Sequence, residues 1–357
     1  MTATGSAAAW VVAQPDSGLG TLYVRVDGGA PVALPDSAGP TSADPETPPK
    51  VIELRDGSLQ LLYNVEKRVA GEKWPFASLR TRRSADRGKT WSDPVVVADD
   101  GEFGRYRNDH SFAASAAGVI YAAWLDERVN GRISLAFARS TDGGATWSSN
   151  TMVDDVSPCE CCRSAMAVAT DGRIHLAWRK KLPGGIRDIV VASSADEGAT
   201  WSAPVRVHAD DWQIDGCPDA GPSLLADGAG TLHLAWWTGK PGAAGVRYAQ
   251  SADGREWAAA VPLAVGAAAA PSHVQLAQIG PDTLLAVWED GTREDKPVVA
   301  AVSVTNGASF GAPFPVSAGG VGAAFPVVGA DRGRLVILWH QDRAGGGREL
   351  VERVADR

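Results

Sequence analysis

Apolar and polar positions alternate along this chain over short runs and never settle into a long helical period, which predicts strands of about four to eight residues joined by tight turns. The pattern is clearest at 164–207. There "SAMAVAT" is followed by the turn "DGR", a second run "IHLAW", the polar "RKKLPGG", a third run "IRDIVVASS", the turn "ADEGATW" and a short "APVRV". The second run of each such unit carries an aromatic near its end, at Tyr63, Trp124, Trp178, Trp236, Trp288 and Trp339. Six units of four antiparallel strands are predicted, the last without a closing turn of its own kind.

That closing turn repeats more strictly than anything else in the chain. "SADRGKTW" at 84–91, "STDGGATW" at 140–147 and "SADEGATW" at 194–201 share the pattern S-x-D-x-G-x-T-W. "SADGREW" at 251–257 is one residue shorter, and "SVTNGASF" at 303–310 keeps the spacing with Thr305, Ser309 and Phe310 in place of Asp, Thr and Trp. The period of about 55 residues suits a four-stranded propeller blade. In this box the Asp accepts backbone N–H groups across a turn, the Gly permits a positive φ and the aromatic packs the turn down. It is a folding device, and its residues are poor catalytic candidates.

Boxes at this period resemble those of the Asp-box, or BNR-repeat, sialidase-like superfamily of six-bladed propellers, over nearly the whole chain. The resemblance implies one all-β domain over 1–357, with 1–6 a tag or unordered start and blades at about 47–100, 104–154, 157–209, 213–265 and 268–317. A closing blade is expected from 320–357 plus 8–36, so that strands from both termini close the ring and leave no sheet edge between its ends. "RELVERV" near the C-terminus competes with the N-terminal run for the third place in that blade. Activity is not implied, because the scaffold serves sialidases, other glycosidases, receptors and non-catalytic proteins.

Alternation of strand direction puts the boxes on one face and sorts the ligand loops to the other. The fourth-to-first loops are "GRYRNDHS" at 104–111, "SPCECCRS" at 157–164, "QIDGCPDAGPS" at 213–223 and "AAAAPSH" at 267–273. All four cysteines fall on this box-free face, with His110, His273 and His340. An exo-sialidase of the superfamily would bring an arginine triad, an Asp acid and a Glu-activated Tyr. The place of its first arginine reads "TPPKVIELRDG" at 47–57, and no tyrosine follows Tyr248, so a true exo-sialidase is not expected. A different glycoside hydrolase or a lyase stays open, with Asp109, Arg163, Tyr106 and Glu127 as its candidate catalytic residues on a rim rich in Arg, Asp and Glu.

The cysteines admit three readings. Cys162 and Cys217 open the first strands of neighbouring blades and are placed for a disulfide, whereas Cys159 with Cys161, or Cys161 with Cys162, would close a small strained ring. Clustered thiolates also select soft metals, and Cys159, Cys161, Cys162 and Cys217, with His110 and His273, make a candidate site for copper, and after it zinc. A thiol redox device is the third. The leading expectation is a metal or other small ligand held by this cluster; a glycan-active enzyme is the alternative, and a protein-interaction platform the second alternative.

Charge and composition narrow the partners. A formal charge of -8, with both signs interspersed, offers no basic stripe for nucleic acid. No apolar run approaches the roughly 20 residues of a membrane helix. "MTATGSAAAWVVAQP" lacks signal-peptide features, while an even cysteine count suits an oxidising compartment. An extracytoplasmic monomer, its leader absent from this sequence, is the expectation, with the cytoplasm as alternative.

Overall fold

Strand pairing follows the repeat. A computed structural model describes residues 2–3, 7–15, 17–72, 75–129, 131–266, 272–331, 334–343 and 346–356. The unit read from the pattern at 164–207 becomes the antiparallel sheet Ala165–Val168, Ile174–Leu182, Ile186–Ser194 and Val205–Arg206. The units around it repeat this order, from Lys50–Glu53 to Val95–Val96, Asn108–Ala114 to Thr151–Asp154, Ser223–Ala226 to Val261–Val265 and Gln275–Gly280 to Phe314–Pro315. The first strands of successive sheets stand side by side around an axis, and the protein is a β-propeller. No helix among the described residues is long and apolar enough to cross a membrane.

Each sheet is covered by a neighbour on both faces, which is why its second strand reads as a nearly unbroken apolar run. Leu59–Lys67 is buried at every position but the last. Trp124, Trp178, Trp236, Trp288 and Trp339 are among the largest fully buried side chains. One cluster joins Tyr121 and Phe137 to Leu176 and Trp178 of the next sheet, and another joins Ala177 and Val191 to Leu234 and Trp236 of the sheet beyond. Burial of such side chains, at about 25 cal/mol per Å² of apolar surface, is the main term holding the ring together.

The boxes close as their residues dictate. The N–H groups of Thr90, Thr146 and Thr200 each donate to the Oδ1 of Asp86, Asp142 and Asp196 at 2.9 Å, and their hydroxyls donate to the Oδ2 at 2.6 Å. Gly198, at φ 86°, lies so close to Phe137 of the preceding sheet that a Cβ would collide with its ring, and Trp201 stands edge-on to the same ring at 5.1 Å. The box thus also docks one blade on another.

The two termini do meet where the ring closes, but not within one sheet. The N-terminal run forms its own hairpins, Thr2–Ala3, Ala7–Ala13, Leu19–Val26 and Val32–Ala33, and the C-terminal run forms a three-stranded sheet, Ala324–Asp331, Arg334–Asp342 and Arg348–Asp356. "RELVERV" takes the third place in the latter, which excludes the N-terminal run from it. The unit expected from 320–357 plus 8–36 therefore resolves into two neighbouring sheets. Among the described residues seven first strands, not six, follow one another about the axis, with Thr2–Ala3 between Ala324–Asp331 and Lys50–Glu53. Thr2 and Ala3 pair with Ala9 and Ala8, so the start is partly within the fold; residues 1 and 4–6 of the expected tag lie outside the described residues. Ala8 packs in the seam against Val327, Val336 and Leu338, and Arg25 pairs with Glu352 across it.

Candidate functional site

The box-free face opens into a cavity of about 1430 Å³ at the axis. Its lining comes from the loops that enter the first strands: Tyr106 and Asp109, then Glu160 and Cys161, then Cys217 and Asp219, then His273, and Ala323 to Phe325, with Asp44 and Glu46 from the stretch before Lys50–Glu53. Residues 267–271 of the loop before His273 lie outside the described residues.

Loop 157–164 is braced against the strand that follows it. The Cys159 N–H donates to the Arg179 carbonyl at 2.9 Å, and the Lys181 N–H donates to the Ser157 carbonyl at 2.8 Å. The Lys181 ammonium pairs with the Glu160 carboxylate, and the Tyr106 hydroxyl donates to the Glu160 carbonyl. This turns Cys159 and Cys162 inward, each 1% exposed, and leaves Cys161 half-buried. The Sγ atoms of Cys162 and Cys161 stand 3.3 and 3.8 Å from that of Cys159. A second trio, Cys161, Cys217 and Asp219, has its donor atoms within 4.8 Å of one another. Cys159 is the acidic thiol, drawn below its ordinary range because Cys161 and Cys162 donate hydrogen bonds to it; Cys161, donating, is driven up. All four cysteines are free, so the Cys162–Cys217 disulfide placed by the sequence is not formed.

Neither histidine expected among the ligands joins a sulfur trio. His273 donates from Nδ1 to Glu289 at 2.8 Å, while its Nε2 lies 2.6 Å from a Glu46 carboxylate oxygen and 3.0 Å from the Asp219 carbonyl. Burial pulls its pKa down, but the two carboxylates outweigh this and hold it up at about 10, and both ring nitrogens face oxygen acceptors and not the sulfur trios. His110 is buried and belongs to neither trio; burial first, then Lys50, keeps it neutral, and neither ring nitrogen meets a partner with hydrogen-bond geometry.

The candidate catalytic residues divide. Asp109, Tyr106 and Glu127 line the cavity. Asp109 is 3% exposed with a left-handed backbone, φ 54°, and burial, then Glu46 and Asp44, raises its pKa well above the carboxylate range. Its Oδ1 has no hydrogen-bond partner. Tyr106 is likewise left-handed, φ 53°, and burial and Asp109 push its phenol up, so no tyrosinate forms near neutral pH. Arg163 is buried, is not among the residues that line the cavity, and packs against Gly221.

Sequence reasoning passed over Asp219, Glu46 and Glu289. Asp219 carried a signal in its place two residues after Cys217; the glutamates carried none, since Glu46 meets His273 from the far side of the ring and Glu289 meets it only across a hairpin.

The profile of the BNR repeat-like domain matches residues 35–213, half of the chain. The chain belongs to this family. A sialidase of Micromonospora viridifaciens is 26% identical over 183 residues, a match that spans 43% of this chain and only 28% of that enzyme. Among solved structures, an ulvan lyase superposes with a TM-score of 0.64 at 13% identity, covering 98% of this chain and 90% of that one. An α-L-arabinofuranosidase from Fusarium graminearum superposes with a TM-score of 0.58 at 16% identity, covering 86% and 92%. At these identities the superpositions speak for the fold alone. This BNR-repeat cavity gathers no buried arginine triad among the described residues: Arg68, Arg132 and Arg348 line it, and each is exposed.

Proposed function

We propose that this protein binds a soft metal ion, monovalent copper in first place and zinc in second, through Cys159, Cys161 and Cys162 in the wall of its cavity. The spacing of the sulfurs carries the reading. Thiolates about 2.3 Å from a shared metal stand about 3.8–4.0 Å apart, whereas disulfide sulfurs are about 2.05 Å apart. The 3.8 Å between Cys159 and Cys161 matches the first figure, the 3.3 Å between Cys159 and Cys162 is shorter than it, and both lie far from the second. Burial of Cys159 and Cys162 and the acidity of Cys159 favour a soft, thiolate-selecting ion over hard cations. Backbone bonds from Cys159 and Lys181 hold the loop in place without help from a ligand. Protein prepared anaerobically and loaded with Cu(I) is expected to retain about one copper per chain by elemental analysis, and Cys159→Ser and Cys162→Ser are expected to lose it. Absence of bound metal with the thiols oxidised in pairs would overturn the proposal.

Asp109 supports a second reading, a glycan-directed hydrolase or lyase sharing the cavity. Burial beside the cavity raises the Asp109 pKa well above the carboxylate range, which biases it toward the protonated form that a general acid needs. The sialidase, arabinofuranosidase and ulvan lyase similar to this chain are glycan-active by name. Aryl glycosides and uronate-containing polysaccharides are the substrates to screen, and turnover is expected to vanish in Asp109→Asn. A silent panel would remove this reading and leave the metal site untouched.

A further inference from the structure

The five donors of the cluster do not make one set. They fall into two trios that share Cys161: Cys159, Cys161 and Cys162 on one side, and Cys161, Cys217 and Asp219 on the other. The first is buried except at Cys161. In the second, Cys217 and Asp219 are exposed, and all three residues line the cavity. The chemistry differs as well. A carboxylate beside two thiolates is a mixed donor set that suits divalent zinc better than monovalent copper.

Closed zinc sites take four protein ligands, whereas reactive ones take three and keep a place open for water or substrate. The geometry points to such an open site: we propose that Cys161, Cys217 and Asp219 form a second metal position, for zinc, with its free place toward the cavity and Cys161 bridging to the ion in the buried trio. This rests on the reading that the buried trio holds a metal. Thiolate sulfur keeps lone pairs after binding one ion, so a single cysteine can serve both. An ion there supplies a Lewis acid to whatever occupies the cavity.

The segment that carries the new ligands is fixed from two sides. Asp219 has a left-handed backbone, φ 47°, and its carbonyl accepts a hydrogen bond from His273 Nε2 at 3.0 Å. Gly221, two residues on, sits where a Cβ would collide with the Arg163 carbonyl. His273 is in turn clamped between Glu46 and Glu289. Strained backbone held by its surroundings in this way is found where a side chain must be aimed. Here it is the Asp219 carboxylate, set beside the Cys161 and Cys217 sulfurs.

The test uses the whole chain, loaded anaerobically with one equivalent of Cu(I) and titrated with Co²⁺ as a coloured substitute for zinc. One Co²⁺ per chain is expected, with a thiolate-to-cobalt absorption band. Cys217→Ser and Asp219→Asn are each expected to weaken cobalt binding by about 10-fold or more while copper stays at one per chain. Cys161→Ser, which removes the shared donor, is expected to weaken both. Copper retained with no cobalt bound, or cobalt bound equally well by both variants, would overturn this second site and leave the first standing. Neither ion bound would overturn both.

Discussion

Asp142 closes its turn with one carboxylate, which takes the Thr146 N–H at 2.9 Å and the Thr146 hydroxyl at 2.6 Å. Those hydrogen bonds hold its pKa at about 2, below the ordinary 3.8. A depressed carboxylate pKa contributes stability that is complete above the unfolded value and disappears as pH falls through the folded one. Asp142→Asn is therefore expected to lower the melting temperature at pH 5 to 7, with the gap to the unsubstituted protein closing between about pH 4 and pH 2 in thermal melts. A constant gap down to pH 2 would show that the bonds do not depend on charge. Such short-range chemistry was legible in the sequence, because the turn is closed by residues four apart. Cys159, Cys161 and Cys162 were legible for the same reason. Glu46 and Glu289 were not: what defines them is His273, and only the closed ring brings Glu46 to it.

Blades are legible as far as they are periodic. The run from Ala165–Val168 to Val205–Arg206 matches its sequence pattern strand for strand, since alternation and turn residues are both local. What the pattern did not contain is how one blade locks on the next. Gly198 has its positive φ for the turn, yet its missing side chain also leaves room for Phe137 of the blade before, on which Trp201 rests. Gly198→Ala is thus expected to cost about 1–3 kcal/mol in denaturant unfolding, from overpacking and from strain at a positive φ. Gly172, whose Cβ would meet nothing within 4 Å although its φ is similar at 85°, separates the two causes. Gly172→Ala carries the strain alone, and an equal loss in both variants would refute the docking role.

At the scale of the molecule the closure was the least legible feature. The N-terminal run bears no Asp box and its first strand is two residues long, so nothing periodic marks it as a blade of its own. Its apolar strands read equally well as the missing half of the last blade, and only the pairing of Arg348–Asp356 with Arg334–Asp342 decides otherwise. The seam between the end blades is apolar side-chain packing around Ala8, which is 4% exposed, with the Arg25–Glu352 pair at its rim. Ala8→Asp buries a charge with no partner in that seam and is expected to destabilise the fold by about 3 kcal/mol or more, read as a lower denaturation midpoint. A change under about 0.5 kcal/mol, the scale of ordinary surface substitutions, would show that the seam is not a packed interface. Because every sheet is spun from one uninterrupted stretch of chain, no blade depends on a distant segment to be whole. A chain joined across the seam at Ala8 and opened between any other pair of blades is then expected to keep every blade whole.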